Sequence, residues 1–374
     1  MNPSLSIYLD AVRLAAAAFV LFGHAFNFTG GYFRGLAGHG AASVAIFFVL
    51  SGFVIAFVTD KKERSGRSYA ISRASRMYSV ALGALAITVC ADWLGYRMDP
   101  TPYLGYQLGH DGSAHLNTSY FNPDWTWLDL LRMVTFTNEL WQSHIQVGSN
   151  EPYWSLGFEV WYYIIFGVYM FAPGGPKARL ALAGLAALIA GPKICLYLPL
   201  WLLGVACYRF LRDSERRLST TPTAWAALAF CATGVLYLLA RKYSAPLTQS
   251  MFLPVGWDQR TAMTVLHFHF IGLLFCVNLI SFVVLANRLT WISVAAQRAK
   301  RKIQWLAGAT FTLYLAHQPL LLMSLAINPL ERGTTEWAYT SMAATIVAVF
   351  ALAEVTERKK EFWKRCFESM FKSS

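Results

Sequence analysis

The sequence predicts an all-α, polytopic membrane protein, and three observations lead to that fold class. Of the 374 residues, 56% are hydrophobic and only 14% are charged, whereas soluble domains carry about 25% charged residues. The mean hydropathy is +0.41. Apolar runs close to the length of about 20 residues that a helix needs to cross a bilayer recur along the whole chain. No polar segment is long enough for a separate soluble domain, so we predict one transmembrane domain over residues 1–374.

Ten apolar segments are candidate transmembrane helices. The fifth and sixth are separated only by Gly191-Pro192-Lys193, so these two could instead form a helical hairpin that does not fully cross. The second contains Ser51-Gly52, small residues that permit close packing of helices. The candidate spans are 8–28, 41–59, 77–95, 152–172, 178–191, 194–211, 222–240, 262–286, 304–327 and 336–355.

The distribution of lysine and arginine predicts the orientation. With a cytoplasmic N-terminus and ten spans, most basic residues fall in the inner segments, including a basic cytoplasmic tail at 356–374. This is the bias that the positive-inside rule describes, and it places both termini in the cytoplasm. It also accounts for the net charge of +12, so we expect no nucleic-acid partner. The expected location is a plasma membrane, crossed many times and in contact with its lipids.

The segment 96–151 is the longest non-spanning piece and is predicted to be an outer loop. It is rich in aromatic residues and poor in lysine. Within it, the stretch 124–134 resembles a short amphipathic helix whose tryptophans suit the membrane interface. We find no zinc-type Cys/His spacing and no phosphate-binding glycine loop, so neither a metal site nor nucleotide hydrolysis is expected.

The first span carries three ionisable residues, Asp10, Arg13 and His24. Such groups are costly inside a membrane and by default indicate a functional site. Asp10 and Arg13 are three residues apart, which is ion-pair spacing on a helix. Arg13 and His24 project from one helix face with about 16 Å of rise between them. We interpret them as two positions along a route through the protein.

Three other segments hold candidate functional residues. Arg73 and Arg76 are neighbours on one helix face and suit phosphate recognition, although basic residues here also serve topology. Glu159 lies about two turns into the fourth span and is a candidate to orient an intramembrane histidine or arginine. His317 lies in the ninth span, where a histidine hydrogen-bonded to a neighbouring helix is a common structural element.

In this order, these motifs resemble acyltransferase family 3, the bacterial integral-membrane acyltransferases that modify carbohydrates. The matching elements are Arg13 and His24 with ten residues between them, FFVLSGF at 47–53, Arg73-Ala-Ser-Arg76, Trp154-Ser155-Leu156 with Glu159, and LYLAHQPL at 313–320. Gly157-Phe158 departs from the usual small and acidic residues before Glu159, which leaves one carboxylate where the family pattern has two.

The resemblance implies O-acyl transfer, typically of acetyl from acetyl-CoA, to a sugar hydroxyl at the cell envelope of a bacterium. The acceptor could be lipopolysaccharide, exopolysaccharide, peptidoglycan or a glycoside. We expect His24 to act as general base or to carry the acyl group, with Glu159 or His317 fixing its tautomer or balancing its charge. Arg13, Arg73 and Arg76 would hold the acyl-CoA donor.

Two other classes of function compete with acyl transfer. A transporter could use Asp10, Arg13, His24, Glu159 and His317 as a proton or substrate pathway. The sequence shows no convincing inverted repeat, which argues against that class. A structural or sensory membrane protein is the third alternative, and it leaves the intramembrane charges unexplained.

Overall fold

The computed structural model of the protein describes residues 3–104, 106–108, 114–116, 121–252 and 259–370. Residues 105, 109–113 and 117–120 of the predicted outer loop and residues 371–374 of the predicted tail lie outside the described residues. The described helices are α1 (Pro3–Phe28), α2 (Gly40–Lys61), α3 (Gly66–Met98), α4 (Trp127–Val134), α5 (Trp154–Phe171), α6 (Pro176–Ala190), α7 (Pro192–Asp213), α8 (Glu215–Thr220), α9 (Thr223–Phe252), α10 (Gln259–Arg288), α11 (Thr290–Ala307), α12 (Thr310–Ile327), α13 (Thr335–Val355) and α14 (Lys360–Met370).

Seven helical stretches among the described residues are long and apolar enough to cross a membrane. They coincide with seven of the ten predicted spans, and the other three predicted spans are helical as well, in α5, α6 and the first part of α9. The all-α class and the multi-pass membrane character are therefore confirmed. The number of ten spans and the cytoplasmic location of both termini stay predictions.

The three remaining spans differ from the seven in length or composition. Helix α6 has 15 residues and is therefore about 22 Å long, shorter than a bilayer core of about 30 Å. Helix α5 is long enough, but its tryptophans, its tyrosines and Glu159 lower its hydropathy. The apolar part of α9 is Thr223–Leu239. The short α6 fits the alternative in which the fifth and sixth segments form a hairpin.

The predicted outer loop contains regular structure. Helix α3 continues to Met98, and the loop then holds two short antiparallel strands, β1 (Tyr106–Leu108) and β2 (Ala114–Leu116), with Tyr106 opposite Leu116. Helix α4 begins with a capping box between Thr126 and Asp129, which satisfies two N–H groups at its start. Trp127 is 81% exposed and lies on this amphipathic helix. The short helix is confirmed, and the hairpin is an addition to the predicted helical architecture.

Contacts group the chain into two compact units, each assembled from separate segments. Helix α1 contributes its N-terminal part to the first unit and the rest to the second. The first unit consists of Met1–Ala16, Ala41–Arg64 and Pro192–Ala307, and the second of Ala17–Gly40, Ser65–Gly191 and Gly308–Ser374.

In the first unit, small residues bring α2 and α7 together. A Cβ atom on Gly52 would lie 2.0 Å from the carbonyl oxygen of Trp201, and one on Gly204 would lie 2.0 Å from the carbonyl oxygen of Val49. Trp201 Nε1 donates a hydrogen bond of 3.1 Å to Ser51 Oγ. Any side chain at Gly52 would force the two backbones apart, which confirms the packing role predicted for Ser51-Gly52.

In the second unit, α3 packs against α5, α12 and α14. The predicted tail is helical, because a short 3-10 helix at Glu357–Lys359 leads into α14. The Phe367 ring of α14 lies 5.9 Å from the Tyr78 ring of α3. Glu357 Oε2 accepts hydrogen bonds of 3.0 Å from the N–H groups of Phe311 and Thr312. This carboxylate caps the N-terminus of α12, the helix that carries His317.

Candidate active site

Helix α12 presents His317 in one defined tautomer. His317 is fully buried, and its Nδ1 lies 2.9 Å from the carbonyl oxygens of both Leu313 and Tyr314. Carbonyl oxygens only accept hydrogen bonds, so Nδ1 carries the proton and donates it. In the neutral ring Nε2 then holds a lone pair. Among the described residues this Nε2 has no hydrogen-bond partner.

His24 of α1 lies beside His317. The two ring centroids are 5.1 Å apart, with an angle of 64° between the ring planes. His24 is partly exposed, so the pair has one accessible imidazole and one buried imidazole. The structure thus brings together two candidate residues that lie almost the whole length of the chain apart.

The electrostatics of this pair favour one positive charge rather than two. Two imidazolium ions at 5.1 Å would repel each other by about 3 kcal/mol at an effective dielectric constant of about 20. One of the two rings therefore stays neutral, and a neutral imidazole can accept a proton from a substrate.

The 3-10 helix that starts at Glu151 packs against α12, and the charge of Glu151 interacts with His317 of that helix. Glu151 begins the 3-10 helix Glu151–Tyr153 that precedes α5. Glu151 was not among the predicted site residues, and Glu159 was the candidate carboxylate, because spacing along α5 does not reveal which helix each residue faces.

Glu159 belongs to a cluster with the arginines of α3. Its carboxylate accepts a hydrogen bond from the hydroxyl of Tyr163, one turn further along α5. The charges of Glu159, Arg76 and Arg73 all act on Tyr163. The position of Glu159 fits the predicted pairing with an arginine. Tyr163 was not among the predicted site residues, although its spacing of four residues from Glu159 was visible in the sequence.

Arg73 lines a cavity of about 540 Å³ between α3 and α5. Its guanidinium carbon lies 5.5 Å from the centre of the Tyr69 ring and 5.8 Å from that of Tyr163. Its side chain is largely buried, so its charge is held against aromatic faces, as cation–π contacts require. Arg76 faces α12, with its guanidinium carbon 5.7 Å from the Phe311 ring. The wall is mostly apolar and includes Met77, Phe136, Val160, Ile164 and Phe171.

Arg13 lies in the first unit and forms the ion pair that its spacing predicts. Arg13 Nη1 is 3.7 Å from Asp10 Oδ1, and both side chains are about one-fifth exposed. The other five predicted site residues belong to the second unit. There the structure groups His24 with His317, and Glu159 with Arg73 and Arg76.

A comparison with protein families gives one match. The model of acyltransferase family 3, described as an acyltransferase domain, matches residues 6–354, which is almost the entire chain. No curated protein matches the sequence, and no solved structure matches it either.

Proposed function

The chain belongs to acyltransferase family 3, and we propose that it is a membrane O-acyltransferase. In this proposal an acyl group, acetyl in the simplest case, moves from cytosolic acyl-CoA to a carbohydrate hydroxyl of a bacterial cell envelope. The observation that carries the proposal is the His24–His317 pair, a partly exposed imidazole beside a buried one with a free lone pair.

The proposed chemistry uses His24 as general base. His24 takes the proton of the acceptor hydroxyl while the hydroxyl oxygen attacks the thioester carbonyl carbon. The carbon–sulfur bond breaks, and the leaving thiolate takes the proton from His24. The products are an O-ester and CoA with a free thiol. Repulsion between the two rings keeps the pair at one positive charge. The carboxylate of Glu151 offsets that charge.

The donor is assigned to the Arg73 cavity. Arg73 and Arg76 offer guanidinium groups that suit phosphate oxygens, and the apolar wall between α3 and α5 suits a pantetheine arm. The predicted orientation places this end of α3 on the cytoplasmic side, where CoA is found. Arg13, in the first unit, remains a proposed donor contact through the family resemblance alone.

The proposed acceptor is a glycan such as lipopolysaccharide, exopolysaccharide, peptidoglycan or a glycoside. Family membership is also what weighs against the transporter alternative. A transporter would move its substrate across the membrane without consuming acyl-CoA, so the two functions give different products.

The direct test uses purified protein, labelled acetyl-CoA and fractionated envelope glycans. We expect label to enter one carbohydrate fraction, with one free CoA thiol released for each acetyl group transferred. Substrate uptake into vesicles without thiol release, and without any labelled glycan, would contradict acyl transfer and support transport.

Replacing Arg73 with alanine tests the donor site. A lost hydrogen bond to a charged group costs about 1.5–3 kcal/mol, so we expect the KM for acetyl-CoA to rise about 10- to 100-fold. The KM for the glycan should change little. Steady-state kinetics with each substrate varied in turn measures both values.

The matched control for this variant is Arg67→Ala, which removes an exposed arginine from the same end of α3, outside the cavity lining. It should leave the KM for acetyl-CoA within about twofold of the original protein, an ordinary margin for surface changes. Equal effects of the two substitutions would assign Arg73 to membrane topology and not to donor binding.

A further inference from the structure

The segment Gly148–Asn150, just before Glu151, is fixed to α3 by buried hydrogen bonds. Asp92 of α3 accepts one from the Ser149 N–H at 2.7 Å and one from the Ser149 hydroxyl at 2.6 Å. Gly148 has φ = 55°, and a Cβ atom there would lie 2.0 Å from Asp92 Oδ2. Only glycine tolerates this contact, because any Cβ atom would clash with the Asp92 carboxylate. Asn150, at the end of the segment, is 1% exposed.

The orientation of the Asn150 amide follows from its hydrogen bonds. The hydroxyl of Thr88 donates its single proton to the carbonyl oxygen of Ala84 at 2.7 Å. Towards Asn150, Thr88 can therefore only accept, so the group at 2.8 Å from it is the Asn150 amide nitrogen. The carbonyl oxygen, Oδ1, faces away from Thr88. In the described part of the chain, Asn150 Oδ1 meets no hydrogen-bond donor.

A buried acceptor without a donor is costly, by about 1–3 kcal/mol. A purely structural asparagine would be expected to bond through both ends of its amide. Asp92 fixes the backbone next to Asn150, and the hydrogen bond to Thr88 fixes the direction of Oδ1. Such a preorganised acceptor is typical of a binding site.

The surroundings of Asn150 connect it to the histidine pair. It directly precedes the 3-10 helix Glu151–Tyr153, which packs against α12, the helix that carries His317. One turn into α5, Ser155 Oγ lies 2.8 Å from the Tyr314 hydroxyl of α12, and α12 also packs against α3. Among the described residues, His317 Nε2 on α12 and Asn150 Oδ1 beside α3 are both buried acceptors without a donor.

We propose that Asn150 determines acceptor specificity by accepting a hydrogen bond from a second hydroxyl of the acceptor. In the proposed reaction the acylated hydroxyl gives its proton to His24, so the donor to Asn150 Oδ1 is a second hydroxyl, and the acceptor is a polyol and not an isolated alcohol. The inference rests on the proposed acyl transfer and adds to it a specificity-determining residue outside the family motifs quoted above.

The test compares a methyl hexoside with its monodeoxy analogues, each lacking one hydroxyl, as acceptors for labelled acetyl-CoA. We expect Asn150 to recognise one hydroxyl that does not itself become acetylated. For the original protein, the analogue that lacks this hydroxyl should have a kcat/KM at least about tenfold lower. In Asn150→Ala that selectivity should fall to about twofold or less. The KM for acetyl-CoA should stay unchanged.

Two further variants make the test decisive. Thr88→Val removes the group that orients the amide and should weaken the same selectivity even if Asn150→Ala folds poorly. Asn138→Ala removes another buried asparagine with an unpartnered Oδ1, located against Gly157, and should leave the selectivity intact.

The outcomes separate this inference from the proposed function. If the original protein acetylates no glycoside and no glycan, the proposed function fails. If it acetylates them, but Asn150→Ala and Thr88→Val keep the full deoxy selectivity, the assignment of Asn150 is overturned while acyl transfer stands. Equal effects of Asn150→Ala and Asn138→Ala would likewise overturn it.

Discussion

Replacing His24 with alanine is expected to lower the rate of acyl transfer by about 10²–10⁴-fold, the usual contribution of a general base. His24 is the partly exposed member of the histidine pair, so it is the imidazole that a hydroxyl can reach. The substitution removes a side chain without adding charge, so the protein should still insert into the membrane and fold. The KM for acetyl-CoA should change little, because the proposed donor contacts lie elsewhere.

The measurement is the single-turnover rate of label transfer at saturating acetyl-CoA, with folded protein quantified by size-exclusion chromatography. The control is His39→Ala, which removes another imidazole of the same unit, one that packs on Phe19 at 4.8 Å. His39→Ala should keep a rate close to that of the original protein. Full activity in His24→Ala would refute the proposed base. Label retained on acid-quenched protein, and absent from His24→Ala, would indicate an acyl relay on His24 instead.

Replacing His317 with phenylalanine should lower the single-turnover rate about 100-fold. Phenylalanine retains a ring of similar size beside His24 but removes the Nδ1–H bonds to Leu313 and Tyr314 and the Nε2 lone pair. If the two histidines share one proton, they act as a unit. The double variant His24→Ala/His317→Phe should then be no slower than the slower single variant, as is typical of coupled catalytic groups.

Multiplied losses in the double variant would contradict a coupled pair and would mean that the two histidines act independently. The control is His267→Phe, which makes the same exchange at a buried histidine of α10 in the first unit. That variant should retain most of the activity. Equal losses in the His267 and His317 variants would assign both to folding, which thermal unfolding in detergent would also reveal.

Features that depend on local spacing were predictable from the sequence. The helical positions of the ten predicted spans follow from apolar runs, because a lipid-embedded backbone must satisfy its own hydrogen bonds. The Asp10–Arg13 ion pair follows from a separation of three residues on a helix. The short helix α4 follows from its amphipathic pattern. The β1–β2 hairpin and the helices α8, α11 and α14 were missed. In α14, apolar residues are interleaved with charged ones.

The choice between Glu151 and Glu159 was not predictable, and neither was the role of Tyr163. Glu151 lies just before α5 and Glu159 lies within it, and the two share one helix face by spacing. Helical periodicity states which residues lie on one face, but not which neighbouring helix that face meets. Only packing decides that the segment of Glu151 meets α12 and that Tyr163, the hydrogen-bond partner of Glu159, faces Arg73 of α3.

The sequence by itself determined that this protein is a helical membrane protein with the ordered motifs of acyltransferase family 3, because both depend on residues close together in the chain. Tertiary structure alone decided that His24 meets His317, that Arg73 faces Tyr163, and that Thr88 turns the oxygen of Asn150 away from itself. The physical reason is that each of these contacts joins different helices. Their relative positions are set by side-chain packing summed over the whole interface, which no local pattern encodes.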